Sequence, residues 1–368
     1  MTSASPVPTT PPTTPVARLR DPGELLAALP YLIGFHPRDS LLFIAFGGSS
    51  GRRIELTQRV DLPVAVDAPA VCGALAANTL RVSPAGVAVV VVGGDPGPAG
   101  GVPFGGAPPL RELADAAAAA LASCGVVVQS RTWAAGTGAG AAWACFDECG
   151  CRGAVPDAGT TPFAATAVAA GLVAHTDRTE LEGLVAPTTP GRLRRRARML
   201  TRAVEVETTD TGGDAAAAGH ALVGSALADA AGGRLQLDDG RVVALALALS
   251  DLEVRDAALA RCAAPQARLD GAEHLWAALA REMPDPEAAE PAALLAACAL
   301  LRGDGALAGI ALDRAERAWP GHRLTGLLRA VWAAGIPPER VRECLMAPPS
   351  AAMPVTRVAG RSKRRPRR

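Results

Sequence analysis

Apolar positions in the first half of the chain switch between helical spacing and short unbroken runs. Apolar side chains recur at helical spacing over residues 22–33, whereas residues 41–46 and 87–92 are continuous apolar runs of strand length. Residues 126–134 are typical of a further strand after another helical segment. Helices that alternate with apolar strands predict an α/β domain with a mixed sheet, ending near Pro187.

The second half of the chain has helical spacing almost throughout. Its helical segments are separated only by short stretches with Gly, Pro or Asp, which predicts antiparallel neighbours in a bundle or a solenoid. Residues 300–324 resemble a single tetratricopeptide-like hairpin, but the period of that repeat is missing and ordinary bundle packing is favoured. We therefore predict an all-α domain that follows the α/β domain.

These patterns divide the chain into five predicted segments. They are a disordered Pro/Thr-rich arm (1–17), an α/β domain (18–187), a linker with a basic helix (188–218), an α-helical domain (219–346) and a disordered basic tail (347–368).

A polar cluster joins the first predicted helix to the first predicted strand. Gly34 fits the left-handed position after a helix, Pro37 favours an extended His36, and Asp39 and Ser40 turn the chain. These roles explain the backbone conformation of the segment without any catalytic function. They do not explain why residue 36 is a histidine. A hydrogen bond from His36 across the turn to Asp39 is favoured over a functional role. The entrance of a strand is also the less usual end for an α/β site. His36, Asp39 and Ser40 stay ligand-binding candidates.

A Gly-rich loop follows the apolar run 87–92. Ligands in open α/β sheets bind beyond the carboxyl ends of parallel strands, so Gly93, Gly94 and Asp95 are the best-placed ligand contacts. Neither Gly-x-Gly-x-x-Gly nor a P-loop is present, and a flexible connector is favoured over a nucleotide loop. Ser49 matches Gly-x-Ser-x-Gly, but a strand follows it, so a hairpin turn is expected rather than a nucleophile.

Three cysteines close together give the strongest chemical signal. Cys145, Cys149 and Cys151 have spacing compatible with a structural zinc site, although unligated thiols are favoured. The fourth ligand is missing locally, and the sequence offers His175, Asp147 or Glu148 for it. We predict no other cofactor.

The remaining histidines are scattered singly, and packing or solvent exposure is favoured over ligation for each of them. They are His175, His220, His274 and His322.

Charge is unevenly distributed, although the formal net charge is only +1. Six of the last eight residues are basic, so the rest is mildly acidic, and the only lysine is Lys363. The folded part thus lacks a lysine for a Schiff base or a phosphate loop. The Arg-rich residues 192–198 are expected to be a solvated helix face. The tail is expected to make at most weak, salt-sensitive nucleic-acid contacts.

Two further patterns concern the cellular location of the protein. The N-terminus lacks a basic and an apolar signal region, and no apolar run approaches the ~20 residues of a membrane span. We expect a cytoplasmic protein with reduced cysteines and no membrane contact.

Two segments carry a family resemblance. Residues 34–41 (Gly-Phe-His-Pro-Arg-Asp-Ser-Leu) and 301–306 (Leu-Arg-Gly-Asp-Gly-Ala) resemble an actinobacterial family catalogued as domain of unknown function 4192. The resemblance covers residues 18–344 and implies no established activity. The family pattern has adjacent cysteines followed by Pro near the end of the α/β half, whereas residues 149–152 here are Cys-Gly-Cys-Arg.

The expected function is a non-enzymatic binding or protein-interaction role, with the helical half as the partner surface. The alternative is an enzyme or small-ligand sensor with a pocket on the α/β domain. A pocket where polar groups from distant segments converge would favour the alternative, and a broad apolar groove on the helices would favour an interaction role.

Overall fold

The structure is a computed structural model that describes residues 19–94, 107–169, 172–207, 215–263 and 266–346. The described residues form an N-terminal α/β region with a six-stranded mixed sheet, followed by a C-terminal region of many helices. The predicted fold class is confirmed. The predicted arm and tail lie outside the described residues.

The strands are β1 (Ser40–Gly47), β2 (Arg53–Asp61), β3 (Gly86–Val92), β4 (Val128–Ala134), β5 (Ala142–Cys145) and β6 (Arg152–Ala154). The helices of the α/β region are α1 (Pro22–Ile33), α2 (Ala68–Thr79), α3 (Arg111–Ser123), α4 (Pro162–Ala169) and α5 (Arg178–Gly183). The helices that follow are α6 (Pro190–Glu207), α7 (Ala215–Ala231), α8 (Asp239–Ser250), α9 (Leu252–Cys262), α10 (Gln266–Glu282), α11 (Ala289–Arg302), α12 (Gly305–Ala318), α13 (Arg323–Ala333) and α14 (Pro338–Met346).

The sheet has the order β2-β1-β3-β4-β5-β6. Among the described strands, β3 and β4 are the one neighbouring pair that runs parallel, and the other neighbouring pairs are antiparallel. Strand β1 is antiparallel to β3, with Ser40 opposite Val92, and Val92 pairs with Ala134 of β4. The beginning of β1 therefore lies at the carboxyl ends of β3 and β4. Strands β1 and β2 form a hairpin whose turn holds Ser49 on the surface, so the predicted hairpin turn is confirmed.

Both faces of the central strands are buried, which explains their unbroken apolar runs. On one face, Leu41, Phe43 and Val89 share a cluster with residues of α2 and α3. On the other face, Leu42 and Val90 belong to a larger cluster that includes residues of α1, α5 and the C-terminal helices. Each fully buried side chain of this size stabilises the fold by about 1.5–3 kcal/mol, so this double burial fixes the strand ends firmly.

Helix α1 begins and ends at the predicted residues. The side chain of Asp21 accepts a hydrogen bond from the Glu24 N–H at 2.9 Å, and Glu24 Oε2 accepts one from the Arg20 N–H at 2.8 Å. Asp21 thus satisfies an amide that the first turn leaves unpaired, and Glu24 reaches back to an amide just before the helix. Gly34 ends the helix with φ +81°, the left-handed conformation that glycine adopts without a Cβ penalty.

Helix α11 is the central helix of the C-terminal region. Twelve of its fourteen residues are buried, many of them alanines that allow close approach of α10 and α12. The chain then turns at Gly303, and Asp304 caps α12 by accepting a hydrogen bond from the Leu307 N–H at 2.9 Å. No helix among the described residues is both long and apolar enough to cross a membrane.

The expected solvated face of the Arg-rich helix α6 is wrong for Arg196. Its side chain is only 2% exposed, and it donates to Asp239 Oδ1 at 2.9 Å, to the Glu282 carboxylate and to the Glu282 carbonyl at 2.6 Å. Burial alone would raise the pKa of Glu282, but hydrogen bonds from Arg196 and Arg192 hold it below its ordinary value. A fully paired guanidinium can be buried, and here it ties α6 to α8 and α10.

Candidate functional site

A cavity of about 500 Å³ lies where β3 and β4 end and β1 begins. Four chain segments line this cavity, which we call the His36 pocket. Its lining consists of residues 36–39, 93–94 and 135–138 together with Thr176. The expectation that the His36 cluster lies at the less usual end of the sheet is therefore wrong. Since β1 runs antiparallel to β3, its entrance is at the carboxyl edge of the parallel pair, where α/β proteins bind ligands.

His36 makes one backbone and one side-chain hydrogen bond, and a second backbone bond joins the neighbouring Gly34 to the same partner. Its N–H donates to the His175 carbonyl at 3.0 Å, and the His175 N–H donates to the Gly34 carbonyl at 2.8 Å. Nδ1 shares a hydrogen bond of 2.9 Å with Thr137 Oγ1. The predicted hydrogen bond from His36 to Asp39 is wrong, because Thr137 reaches the ring from the loop after β4.

His36 lines the cavity, and Thr137 contacts only one of its two ring nitrogens. No hydrogen-bond partner for Nε2 is found in the part of the chain that the structure describes. Burial and the nearby Arg38 cation both disfavour the charged ring, and they lower the pKa of His36 from its ordinary value. The imidazole is therefore neutral at neutral pH, and Nε2 offers either one donor or one acceptor, depending on the tautomer.

Asp39 and Gly93 interlock at the floor of the His36 pocket. Asp39 has a positive φ of 40°, and its Oδ1 accepts a hydrogen bond from the Gly94 N–H at 3.2 Å. Gly93 has φ +90°, and a Cβ there would lie 2.4 Å from Asp39 Oδ1. The Gly93 carbonyl accepts a hydrogen bond from the Trp133 indole at 2.8 Å. Any side chain at position 93 would overlap Asp39, so the close contact requires glycine. This part of the pocket is therefore fixed by the packing of the fold.

Ser40 takes a structural position beside the pocket. Its hydroxyl donates to the Arg38 carbonyl at 2.6 Å and accepts from Arg59 Nε at 2.8 Å. Its side chain is fully buried and does not line the cavity. These bonds occupy the hydroxyl and anchor the turn that carries His36.

The structure thus joins two groups of candidates that the sequence presented separately. His36, Asp39, Gly93 and Gly94 line one cavity, whereas Asp95 lies outside the described residues.

Sequence reasoning missed the contributions of Arg38, Thr137 and Thr176. The signal for Thr137 was present, because residues 135–140 are a second Gly-rich loop directly after a strand.

The three cysteines lie together where β5 ends and the chain turns towards β6: Cys145 is the last residue of β5, and Cys149 and Cys151 lie on the turn. Their sulfur atoms are all within 4.8 Å of one another, a group that could hold a metal ion. The Cys145 N–H donates to the Cys151 carbonyl at 2.8 Å, and the Cys151 N–H points at Cys149 Sγ at 3.4 Å. Gly150 allows this turn with φ +61°.

The fourth ligands suggested by the sequence do not join this group. Among the described residues, neither His175, Asp147 nor Glu148 lies within it. The carboxylate of Asp147 instead accepts hydrogen bonds from the backbone N–H and from Nε of Arg131, at 3.1 and 2.8 Å.

The three thiols differ in the direction in which their surroundings shift the pKa. Burial, with Cys149 nearby, raises the pKa of Cys145 to about 12. Hydrogen bonds from the thiol and the N–H of Cys151 lower the pKa of Cys149, and the pKa of Cys151 is correspondingly raised. Cys149 is therefore the first of the three to become a thiolate.

Three of the other four histidines have local partners among the described residues. His175 lies 3.4 Å from Glu180 and His220 lies 3.7 Å from Glu253. His322 is buried and contacts Glu290 at 3.1 Å and Thr325 at 2.8 Å. None of these histidines belongs to a metal-binding group among the described residues.

The chain was also compared with known proteins. Residues 22–339 match the family described as Domain of unknown function (DUF4192). No curated protein and no solved structure matches the chain.

Proposed function

The chain belongs to the family described as Domain of unknown function (DUF4192), and from its own geometry we propose that it binds a small polar molecule in the His36 pocket. One observation carries the proposal: polar side chains from three distant chain segments, together with two glycines from a fourth, line one cavity at the carboxyl edge of the parallel strands. Small-molecule sites concentrate at this edge of α/β sheets. The convergence favours the sensor or enzyme alternative over a purely protein-binding role.

The size and chemistry of the His36 pocket narrow the class of ligand. Its volume of about 500 Å³ falls within the roughly 300–1,000 Å³ of small-molecule sites. His36 Nε2 and the hydroxyls of Thr137 and Thr176 offer hydrogen bonds, while Arg38 and Asp39 supply one charge of each sign. This balance favours an uncharged or zwitterionic polar molecule over a strongly charged one.

Native mass spectrometry of the protein purified from its own host tests this proposal. We expect wild-type protein to carry a bound small molecule, and the His36→Gln variant to lose it while its circular dichroism spectrum is unchanged. Gln preserves the approximate size and polarity of the side chain but removes the imidazole. Thr137→Val should weaken binding as well, because it releases the ring from its 2.9 Å partner.

His274→Gln is the matched control, because His274 is exposed and does not line the His36 pocket. It should retain the ligand. A folded His36→Gln protein that holds the same molecule as wild type would contradict the proposal. Wild-type protein that is free of ligand and unchanged in melting temperature with a broad metabolite library would contradict it too.

A protein-interaction role for the helical half is the second candidate. Its support is a set of exposed apolar side chains on and beside α13: Trp319, Leu327 and Trp332 are 48%, 61% and 40% exposed. Exposed apolar side chains are typical of partner surfaces where they form a contiguous patch. Replacing Leu327 and Trp332 with Ser should abolish capture of a host protein that wild type retains, and unchanged capture would exclude this surface.

We also propose a structural zinc ion at Cys145, Cys149 and Cys151. The support is the mutual approach of the three sulfur atoms and the N–H directed at Cys149 Sγ. Elemental analysis should find one zinc per chain, lost in the Cys149→Ser, Cys151→Ser double variant. Folded wild-type protein that is purified without zinc and binds none when one equivalent is added would overturn this proposal.

Two remaining proposals concern the environment of the protein. We propose a cytoplasmic location, in which the free cysteines stay reduced. The basic tail, which lies outside the described residues, is the subject of a separate proposal. We propose that it makes weak, salt-sensitive contacts with nucleic acid. Removal of residues 361–368 should abolish any retention on heparin at low salt.

A further inference from the structure

The cysteine site differs from a closed structural zinc site in its number of ligands. Structural zinc in proteins is almost always bound by four Cys or His ligands, whereas sites that keep an open position have three. Here the group contains three sulfur atoms and no fourth donor among the described residues. All eight cysteines and all five histidines of the chain lie among the described residues. The chain therefore has no further Cys or His to complete the site.

The carboxylates closest in sequence are not placed to complete the site either. Asp147 is held by two hydrogen bonds from Arg131 and by an ion pair with the same guanidinium. Glu148 is exposed and lies outside the group. Using Asp147 would break its pairing with a guanidinium that is only 21% exposed.

The site is also accessible from solution. Cys149 and Cys151 are exposed, and their turn precedes β6, the outermost strand of the sheet. Cys145 is half-buried. A ligand from solution can therefore approach the ion on the side of the two exposed sulfurs.

We propose that a divalent metal ion at Cys145, Cys149 and Cys151 keeps one coordination position open, which a small external donor such as an imidazole or a thiol occupies reversibly. This inference rests on the zinc proposal above and adds that the site is exchangeable rather than closed. Three thiolates on a divalent cation leave a net charge of −1, which opposes the binding of hydroxide. A neutral imidazole should therefore bind at lower concentration than an added thiol, which releases its proton to solvent and binds as a thiolate. We accordingly infer ligand exchange at this site, not hydrolysis.

Cobalt(II) provides the test, because its visible absorption reports the coordination shell of a thiolate site that zinc leaves invisible. The metal-free full-length chain is loaded with one equivalent of cobalt(II) and titrated with imidazole, then separately with 2-mercaptoethanol. We expect a saturable shift of the visible bands with each donor. The thiolate-to-cobalt charge-transfer absorption should stay constant with imidazole and rise with the added thiol.

Two variants separate the possible outcomes. Cys149→Ser should reduce the charge-transfer absorption by the share of one thiolate, whereas Cys344→Ser, an exposed cysteine outside the group, should leave it unchanged. The Asp147→Asn, Glu148→Gln double variant should respond to imidazole as wild type does.

Each contrary result identifies which proposal fails. A cobalt spectrum that neither donor alters would overturn the open position while leaving the metal site intact. A response to imidazole that appears only in the Asp147→Asn, Glu148→Gln variant would also overturn it, because a carboxylate would then be the fourth ligand. The absence of any thiolate-to-cobalt absorption would overturn the metal site itself.

Discussion

The His36 pocket and the cysteine turn are both polar clusters on one sheet, but they are built in opposite ways. The pocket joins groups as far apart in sequence as His36 and Thr137, 101 positions, and its floor is interlocked with buried strands. The cysteine group lies within seven consecutive residues, two of its three members are exposed, and it adjoins the edge strand. The pocket should therefore depend on the fold and contribute to it, whereas the cysteine turn should carry chemistry that the fold does not need.

If the pocket contributes to the fold, the largest loss of stability is expected from a substitution of Gly93. Gly93→Ala places a Cβ 2.4 Å from Asp39 Oδ1 and 2.8 Å from the Asp39 backbone nitrogen, at a φ of +90°. The strained backbone and the overlap should together lower the free energy of unfolding by ~3 kcal/mol. Chemical denaturation followed by circular dichroism measures this loss.

Gly138→Ala is the control within the same pocket. Gly138 also lines the cavity, but a Cβ there meets no atom within 4 Å. The free energy of unfolding of the Gly138→Ala variant should therefore lie within ~1 kcal/mol of the wild-type value. Equal losses at the two positions would show that the floor is no more rigid than the adjacent loop.

A smaller effect is expected at the cysteine turn. In the metal-free protein, replacing Cys149 and Cys151 with Ser removes two exposed thiols, so the free energy of unfolding should change by less than ~0.5 kcal/mol. In protein loaded with zinc the same change should lower the melting temperature, because the metal stabilises only the folded chain. A large loss of stability without metal would mean that the turn, like the pocket, supports the fold.

The smallest expected effect is the contribution of His36 to the pH dependence of stability. Its pKa is lowered in the folded state, so below about pH 6.5 the unfolded chain binds the proton more readily. Stability should therefore fall as the pH decreases from about 6.5 through the lowered pKa, and His36→Gln should flatten this part of the profile. Thermal melts between about pH 4 and pH 8, with His274→Gln as the control for loss of an imidazole, measure the difference.

Local structure was predictable wherever a short sequence determines it. The capping of α1 by Asp21 and Glu24, the left-handed Gly34 and the hairpin at Ser49 follow from residue chemistry within a few positions. The cysteine group was also found from sequence, because all three residues lie within seven consecutive positions. The mixed sheet and the helical second half followed from apolar spacing alone.

Long-range pairing was not predictable in the same way. Nothing near His36 indicates that β1 runs antiparallel to β3, yet that orientation places His36 at the carboxyl edge. The partner of its ring, Thr137, comes from a different loop. Arg196 was missed for the same reason, since its burial depends on carboxylates that lie 43 and 86 positions away.

The larger apolar cluster has a consequence for how the chain can be divided. It contains Leu42 and Val90 of the sheet, Leu181 of α5 and residues of the C-terminal helices in one continuous group. A protease cut between α5 and α6 would therefore leave apolar surface uncovered on both products. We expect the intact chain to melt in a single cooperative transition. A fragment that ends near residue 187 should aggregate when it is produced without the helices, and should become soluble when both pieces are made together.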